Sequence, residues 1–152
     1  MATSQEQSKE MIMLKPVSLL LLRMGTGFLL SIWGLIKVAA PEASIGVSEK
    51  YYGGVLSVEM LQVPLGALQI LLGLAVVFGL FRKIAYPVQS IVLGLGLLAI
   101  WKYIADPLGM YLLTEETREV LFFPSLTVFA ATLVLLAFRE EDTISLDKRL
   151  GR

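Results

Sequence analysis

Four apolar stretches, Val17 to Val38, Met60 to Phe81, Ile84 to Ile104 and Val120 to Phe138, constrain this chain more than anything else in it. Each holds about 20 residues, and at about 1.5 Å per residue a helix of that length crosses the roughly 30 Å hydrocarbon layer of a bilayer. A soluble four-helix bundle would carry a polar stripe on every helix, whereas these stretches carry almost no charge around their circumference. Composition agrees: 56% of the 152 residues are hydrophobic and 17% charged, with a mean hydropathy of +0.74, too oily for an ordinary soluble domain. The expected fold is all-α, an integral membrane four-helix transmembrane bundle over 17–138 (spans 17–38, 60–81, 84–104 and 120–138), with tails at 1–16 and 139–152. Val38-Ala39-Ala40 could pass for a cleavage site, but the preceding run is too long for a signal peptide and Pro41 would follow the cut.

Orientation follows from the basic residues that flank the spans. Lys9 and Lys15 precede the first, Arg82 and Lys83 fill the second connection, and Arg139, Lys148, Arg149 and Arg152 lie in the final tail. Only Lys37, Lys50, Lys102 and Arg118 fall on the other side. This bias puts both termini in the cytoplasm. The long first outer connection, Ala39 to Glu59, is expected to fold over the outer mouth. Asp106-Pro107 should stop the third helix, with Thr114, Glu115 and Glu116 capping the next. Pro64 and Pro124, one turn inside their helices, should kink them and open a local gap.

Thirteen basic and thirteen acidic side chains cancel, so no overall field draws nucleic acid to the chain. Cysteine and histidine are absent, which removes disulfides, thiolate-held iron–sulfur clusters and the usual haem and zinc ligands. No metal or covalent cofactor is expected. Electron transfer would need a bound organic molecule or another subunit.

In lipid, small residues that let backbones approach and polar residues that bond across helices mark the packed faces. The first span carries Arg23, Gly27, Ser31, Gly34 and Lys37 on one face, and the second carries Glu59, Gln62, Gly66, Gln69 and Gly73, with Gln69 near mid-membrane. Arg23 stands about six residues, roughly 9 Å, from the inner end of its helix. Burying a guanidinium there costs at least a few kcal/mol. Tyr86, Gln89 and Ser90 share its level, and no acid of any span does. Its head could snorkel to the inner interface. Otherwise it needs neutral protein partners, a carboxylate folded back from the tail such as Asp147, or a ligand oxygen from a quinone carbonyl or a phospholipid phosphate. At the other interface, Trp33, Lys37, Glu59, Gln62, Trp101, Lys102 and Asp106 are expected to gather, either as ion pairs tying helix ends together or as a small anion-holding pocket.

The first span, LLRMGTGFLLSIWGLIKV, resembles the start of DoxX-like membrane proteins, at Arg23, Gly27, Phe28, Gly34 and Lys37. The second span's exit at Gly73, Gly79, Leu80 and Arg82, and the tail's Ser145, Leu146 and Asp147, are similar to the same family. Two departures stand out. Gln69 occupies the place of a frequent glutamate and cannot ionise, and FFPSL replaces a Gly-Gly-Glu type start to the last helix. The resemblance implies a four-span protein of the bacterial inner membrane associated with redox complexes, including the small membrane subunit of a thiosulfate:quinone oxidoreductase. Three functions follow as expectations. The first is a small integral membrane subunit of a quinone-linked redox complex, anchoring a partner and contributing to a quinone or quinol site. The second is a non-catalytic assembly or lipid-binding protein, among membrane lipids, other redox subunits or copies of itself. The third is a small-solute carrier, for which four helices leave little room unless the protein oligomerises. No nucleophile with its base, metal cage or nucleotide loop supports independent catalysis.

Overall fold

The computed structural model describes residues 4–151, with side chains from residue 13 onward. The side chain of Lys9 and the whole of Arg152, both counted in the charge bias, lie outside the described residues. The helices are α1 (Ser4–Ala39), α2 (Pro41–Tyr51), α3 (Glu59–Phe78), α4 (Arg82–Ala99), α5 (Trp101–Ala105), α6 (Pro124–Ala137) and α7 (Leu146–Arg149). Short 3-10 turns occur at Val120–Phe122 and Arg139–Glu141, and no strand occurs among the described residues.

Three helical runs are long and apolar enough to cross a membrane: Met13–Ala39, Glu59–Phe78 and Val120–Ala137. The third expected span, 84–104, is different in kind. Its helix α4 stops at Ala99, and the chain turns at Ile100 before the five-residue α5. One stripe of α4 is buried, and it holds Arg82, Ala85, Tyr86, Gln89 and Ser90 at helical spacing. A helix whose inward face is polar is less apolar overall than its neighbours. The outward surfaces are the reverse. Leu21, Phe28 and Leu35 of α1, Leu68, Leu71 and Phe78 of α3, and Leu133 of α6 are all exposed, while the apolar core is a small cluster of Leu19, Val76, Ala85, Tyr86 and Leu135. Apolar residues outside and polar residues inside fit lipid as the solvent.

Helices α1 and α3 form the main seam, and the glycines explain how. A Cβ on Gly27 would lie 2.7 Å from the Gly73 carbonyl oxygen, and one on Gly34 would lie 2.6 Å from that of Gly66. The reverse contacts are as tight, with a Cβ on Gly66 2.7 Å from the Gly34 oxygen. The two stripes read from the sequence thus face each other in antiparallel register. A larger side chain at any of the four would force the helices apart.

The connection that follows α1 forms α2, which packs against both α1 and α3. Its Tyr51 ring meets Tyr103 of α5 edge-on at 5.6 Å and Phe122 at 4.8 Å, and its hydroxyl donates to Glu119. The first loop does therefore fold across this end of the bundle. Two local expectations fail. Pro124 is the first residue of α6 and not an interior kink, because the chain before it runs as a 3-10 turn; proline suits that position, which needs no backbone donor. Thr114, Glu115 and Glu116 cap no helix: Thr114 and Thr117 close their own turn, and α6 starts ten residues beyond Thr114 with no side-chain cap.

Candidate functional site

The site with the most chemistry is the end of the bundle where α3 exits, α4 begins and the C-terminal tail returns. Helix α3 ends in a left-handed Gly79 (φ 66°), with Gly79 N–H on the Val76 carbonyl and Leu80 N–H on that of Ala75, the usual way to close a helix C-terminus. The carbonyl of Val77 is left open by that closure. Arg23, opposite it on α1, donates from Nε to this oxygen at 3.0 Å. A Cβ on residue 79 would lie 2.6 Å from both Arg23 Nη1 and Ser145 Cβ, so the glycine is needed for shape as well as for its positive φ.

The remaining guanidinium nitrogens turn to the tail. Nη1 lies 2.9 Å from both carboxylate oxygens of Asp142, and Nη2 donates to the Ile144 carbonyl at 3.3 Å. Asp142 also accepts the Tyr86 hydroxyl at 2.5 Å and has Arg82 Nη1 at 3.9 Å. Arg23 is 2% exposed and Asp142 fully buried. Of the sources open to Arg23, neutral backbone carbonyls and a tail carboxylate are both realised, with a correction: the acid is Asp142, not Asp147. Asp147 is engaged elsewhere, accepting the backbone N–H groups of Phe81 and Arg82 at 3.1 and 2.8 Å and facing Arg82 Nε at 3.7 Å. Its own N–H donates to the Gly79 carbonyl at 3.1 Å. Each tail carboxylate so binds a different corner of the α3–α4 turn. Ser145, whose hydroxyl donates to the Asp142 carbonyl, fixes the bend between them.

Asp142 lies outside every apolar run, so depth along the runs does not point to it. The signal was present: Glu140, Glu141 and Asp142 follow the last span directly and arrive at the end that holds Arg23 and Arg82. The four buried charges balance, two guanidinium groups against two carboxylates, as charges removed from water must.

The ion pairs expected of the second cluster do not form among the described residues. Asp106, 3% exposed, forms no ion pair among the described residues; it accepts backbone N–H groups from Met110, Tyr111, Leu112 and Leu113 at 2.7 to 3.0 Å. Burial disfavours its charge, but those four donors outweigh it and hold the carboxyl well below its ordinary pKa. Gln62 is buried and donates to the carbonyls of Leu56 and Val58, tying down the start of α3. Lys37, Glu59 and Lys102 form no ion pair among the described residues. Trp33 is half-buried, and Trp101 is exposed. The reason is local: the loop after α5 wraps its own amides around Asp106, and the turn before α3 takes up the Gln62 amide nitrogen, leaving the Gln62 side-chain oxygen buried without a partner. The ion pair at this end joins Lys50 to Glu119, beside Tyr51.

Between the two ends, Gln69 is half-buried on α3, and Ser90 donates to the Tyr86 carbonyl one turn back. Gln89 is different. It is fully buried, and neither its amide nitrogen nor its oxygen has a hydrogen-bond partner. An apolar groove of about 420 Å³ runs between α4 and α6, with Ser90, Gly94, Leu98, Phe129 and Leu133 among its walls; Gln89 does not line it. Among the described residues no cluster of histidine, cysteine, aspartate or glutamate could hold a metal ion. Compared with protein-family models, with curated proteins and with solved structures, the chain matches none.

Proposed function

We propose that this chain is a four-span protein of the bacterial inner membrane with both termini in the cytoplasm, in which α4 and α5 together make the third span. Its role is that of a non-catalytic scaffold, a small subunit that anchors or assembles partners in the bilayer. The observation that carries this reading is the saturation of Arg23. Its nitrogens reach the Val77 and Ile144 carbonyls and the Asp142 carboxylate, so the guanidinium requires no ligand oxygen. With that need gone, the strongest reason to place a quinone or phospholipid at Arg23, Tyr86, Gln89 and Ser90 goes too. The apolar exterior of the spans and the resemblance to DoxX-like proteins support partners within the membrane, redox subunits among them.

Cross-linking in native membranes tests the scaffold. Arg23→Leu should lower the folded population and lose the partner in proportion. Loss of quinone-dependent turnover in a complex that still assembles at wild-type level would overturn this reading in favour of a redox site.

One observation does favour that second reading, a quinone-linked subunit. A buried amide without partners is a costly feature in a packed bundle, and a quinone carbonyl reaching Gln89 would give its amide the partner it lacks. Gln89→Leu separates the two. If the amide serves nothing, the variant is more stable by about 1 kcal/mol and the complex keeps its activity; if it holds a quinone, quinone-dependent turnover falls.

A further inference from the structure

A cavity of about 630 Å³ opens between the start of α4 and the returning C-terminal segment. Its walls carry four cations, Arg82, Lys83, Arg139 and Lys148, against two carboxylates, Glu140 and Asp147. Asp147 is already committed to the α4 amides and to Arg82. Glu140 is shared between Arg139 at 3.2 Å and Lys148 at 3.7 Å, and the Arg139 hydrogen bond holds its carboxyl below the ordinary range. Lys83 is exposed and forms no ion pair among the described residues. The cavity therefore has an excess of two positive charges.

The placement of those charges is informative. Arg82 and Lys83 open the 18-residue α4, whose first turn holds no acid. A helix N-terminus is itself positive, so two cations there are unfavourable unless an anion joins them. Asp147 supplies one such charge, and the cavity has room for another. Phe81 and Ile84 also line the cavity, with side chains 58% and 67% exposed. Cations and exposed apolar side chains on one cavity match a lipid whose phosphate meets the cations while its chains stay in the bilayer.

We propose that this cavity is a binding site for the headgroup of an anionic phospholipid of the cytoplasmic leaflet, with Lys83 and Lys148 as the principal phosphate contacts. The proposal rests on the orientation given above, which puts the cavity at the cytoplasmic interface. Lipid binding here braces the α3–α4 turn against the tail from outside, as Asp142 and Asp147 do from within.

The test is native mass spectrometry of the full chain, released from nanodiscs of phosphatidylglycerol and phosphatidylcholine, alongside thermal stability in detergent titrated with either lipid or with inorganic phosphate. Retention of phosphatidylglycerol over phosphatidylcholine is expected, with affinity falling about five-fold for each of Lys83→Gln and Lys148→Gln, the worth of one basic residue near an anionic surface. Equal retention of the two lipids, or unchanged affinity in the double variant, overturns the site. Stabilisation by inorganic phosphate as large as that by lipid overturns the lipid assignment. Alkaline carbonate extraction is run in parallel: release of the protein by carbonate would remove the membrane reading itself, whereas an integral protein without lipid preference removes this site alone.

Discussion

Removing the Asp142 carboxylate is the sharpest perturbation available. In Asp142→Ala the Arg23 guanidinium keeps its bonds to the Val77 and Ile144 carbonyls but loses its one ion-pair partner among the described residues, at a side-chain exposure of 3%. Arg82 loses its second acidic neighbour, and the Tyr86 hydroxyl loses its acceptor. Breaking a buried pair by deleting one partner costs about 3–5 kcal/mol. An orphaned buried hydroxyl adds about 1–3 kcal/mol when counted alone. These groups form one network, so the costs are not additive, and about 4 kcal/mol is expected. In a chain of this size that lowers the unfolding midpoint by roughly 8–16 °C, measured by circular dichroism in a mild detergent. The double variant Arg23→Met/Asp142→Leu, which removes both charges and leaves apolar side chains, should recover most of the loss. A midpoint for Asp142→Ala within about 2 °C of wild type, less than about 1 kcal/mol, would refute the claim that this pair fastens the tail to the bundle.

Two further outcomes follow from the packing and the loop. Gly66→Val puts a side chain where a Cβ alone would be 2.7 Å from the Gly34 carbonyl, and should cost about 1–3 kcal/mol by overpacking; Gly46→Ala in α2, where nothing lies within 4 Å, should be neutral or slightly stabilising. Equal midpoints for the two variants would mean that α1 and α3 are not in backbone contact. Asp106 has a pKa depressed in the folded state, so its contribution is full above the unfolded value near 4 and fades as pH falls towards its lower folded value. Comparing midpoints at pH 6 and pH 3, the wild-type protein should lose more stability than Asp106→Asn; parallel pH profiles would show that the four amides do not single out the ionised carboxylate.

What could be read from the chain without coordinates was whatever depends on near neighbours in sequence. Apolar runs about 20 residues long announce lipid-length helices because backbone hydrogen bonds close within the segment, whatever surrounds it. Gly27 with Gly34, and Gly66 with Gly73, announce a close seam because each pair repeats at helical spacing on one face. Helix polarity and order then pair the two faces in antiparallel register. Even the need of Arg23 for an oxygen was legible, since the cost of burying a charge does not depend on the fold.

The tertiary structure alone decided where that oxygen comes from. Asp142 is 119 residues from Arg23, in a segment with no periodic pattern, and no local rule says how such a tail bends. The residues at the opposite end of the bundle show the same limit in reverse. Lys37, Glu59, Lys102 and Asp106 share a level by counting along helices, yet Asp106 spends its charge on amides four to seven residues ahead. Level along an axis fixes one coordinate; whether two charges meet depends on rotation about the helix and on loop closure, which only the packed chain sets.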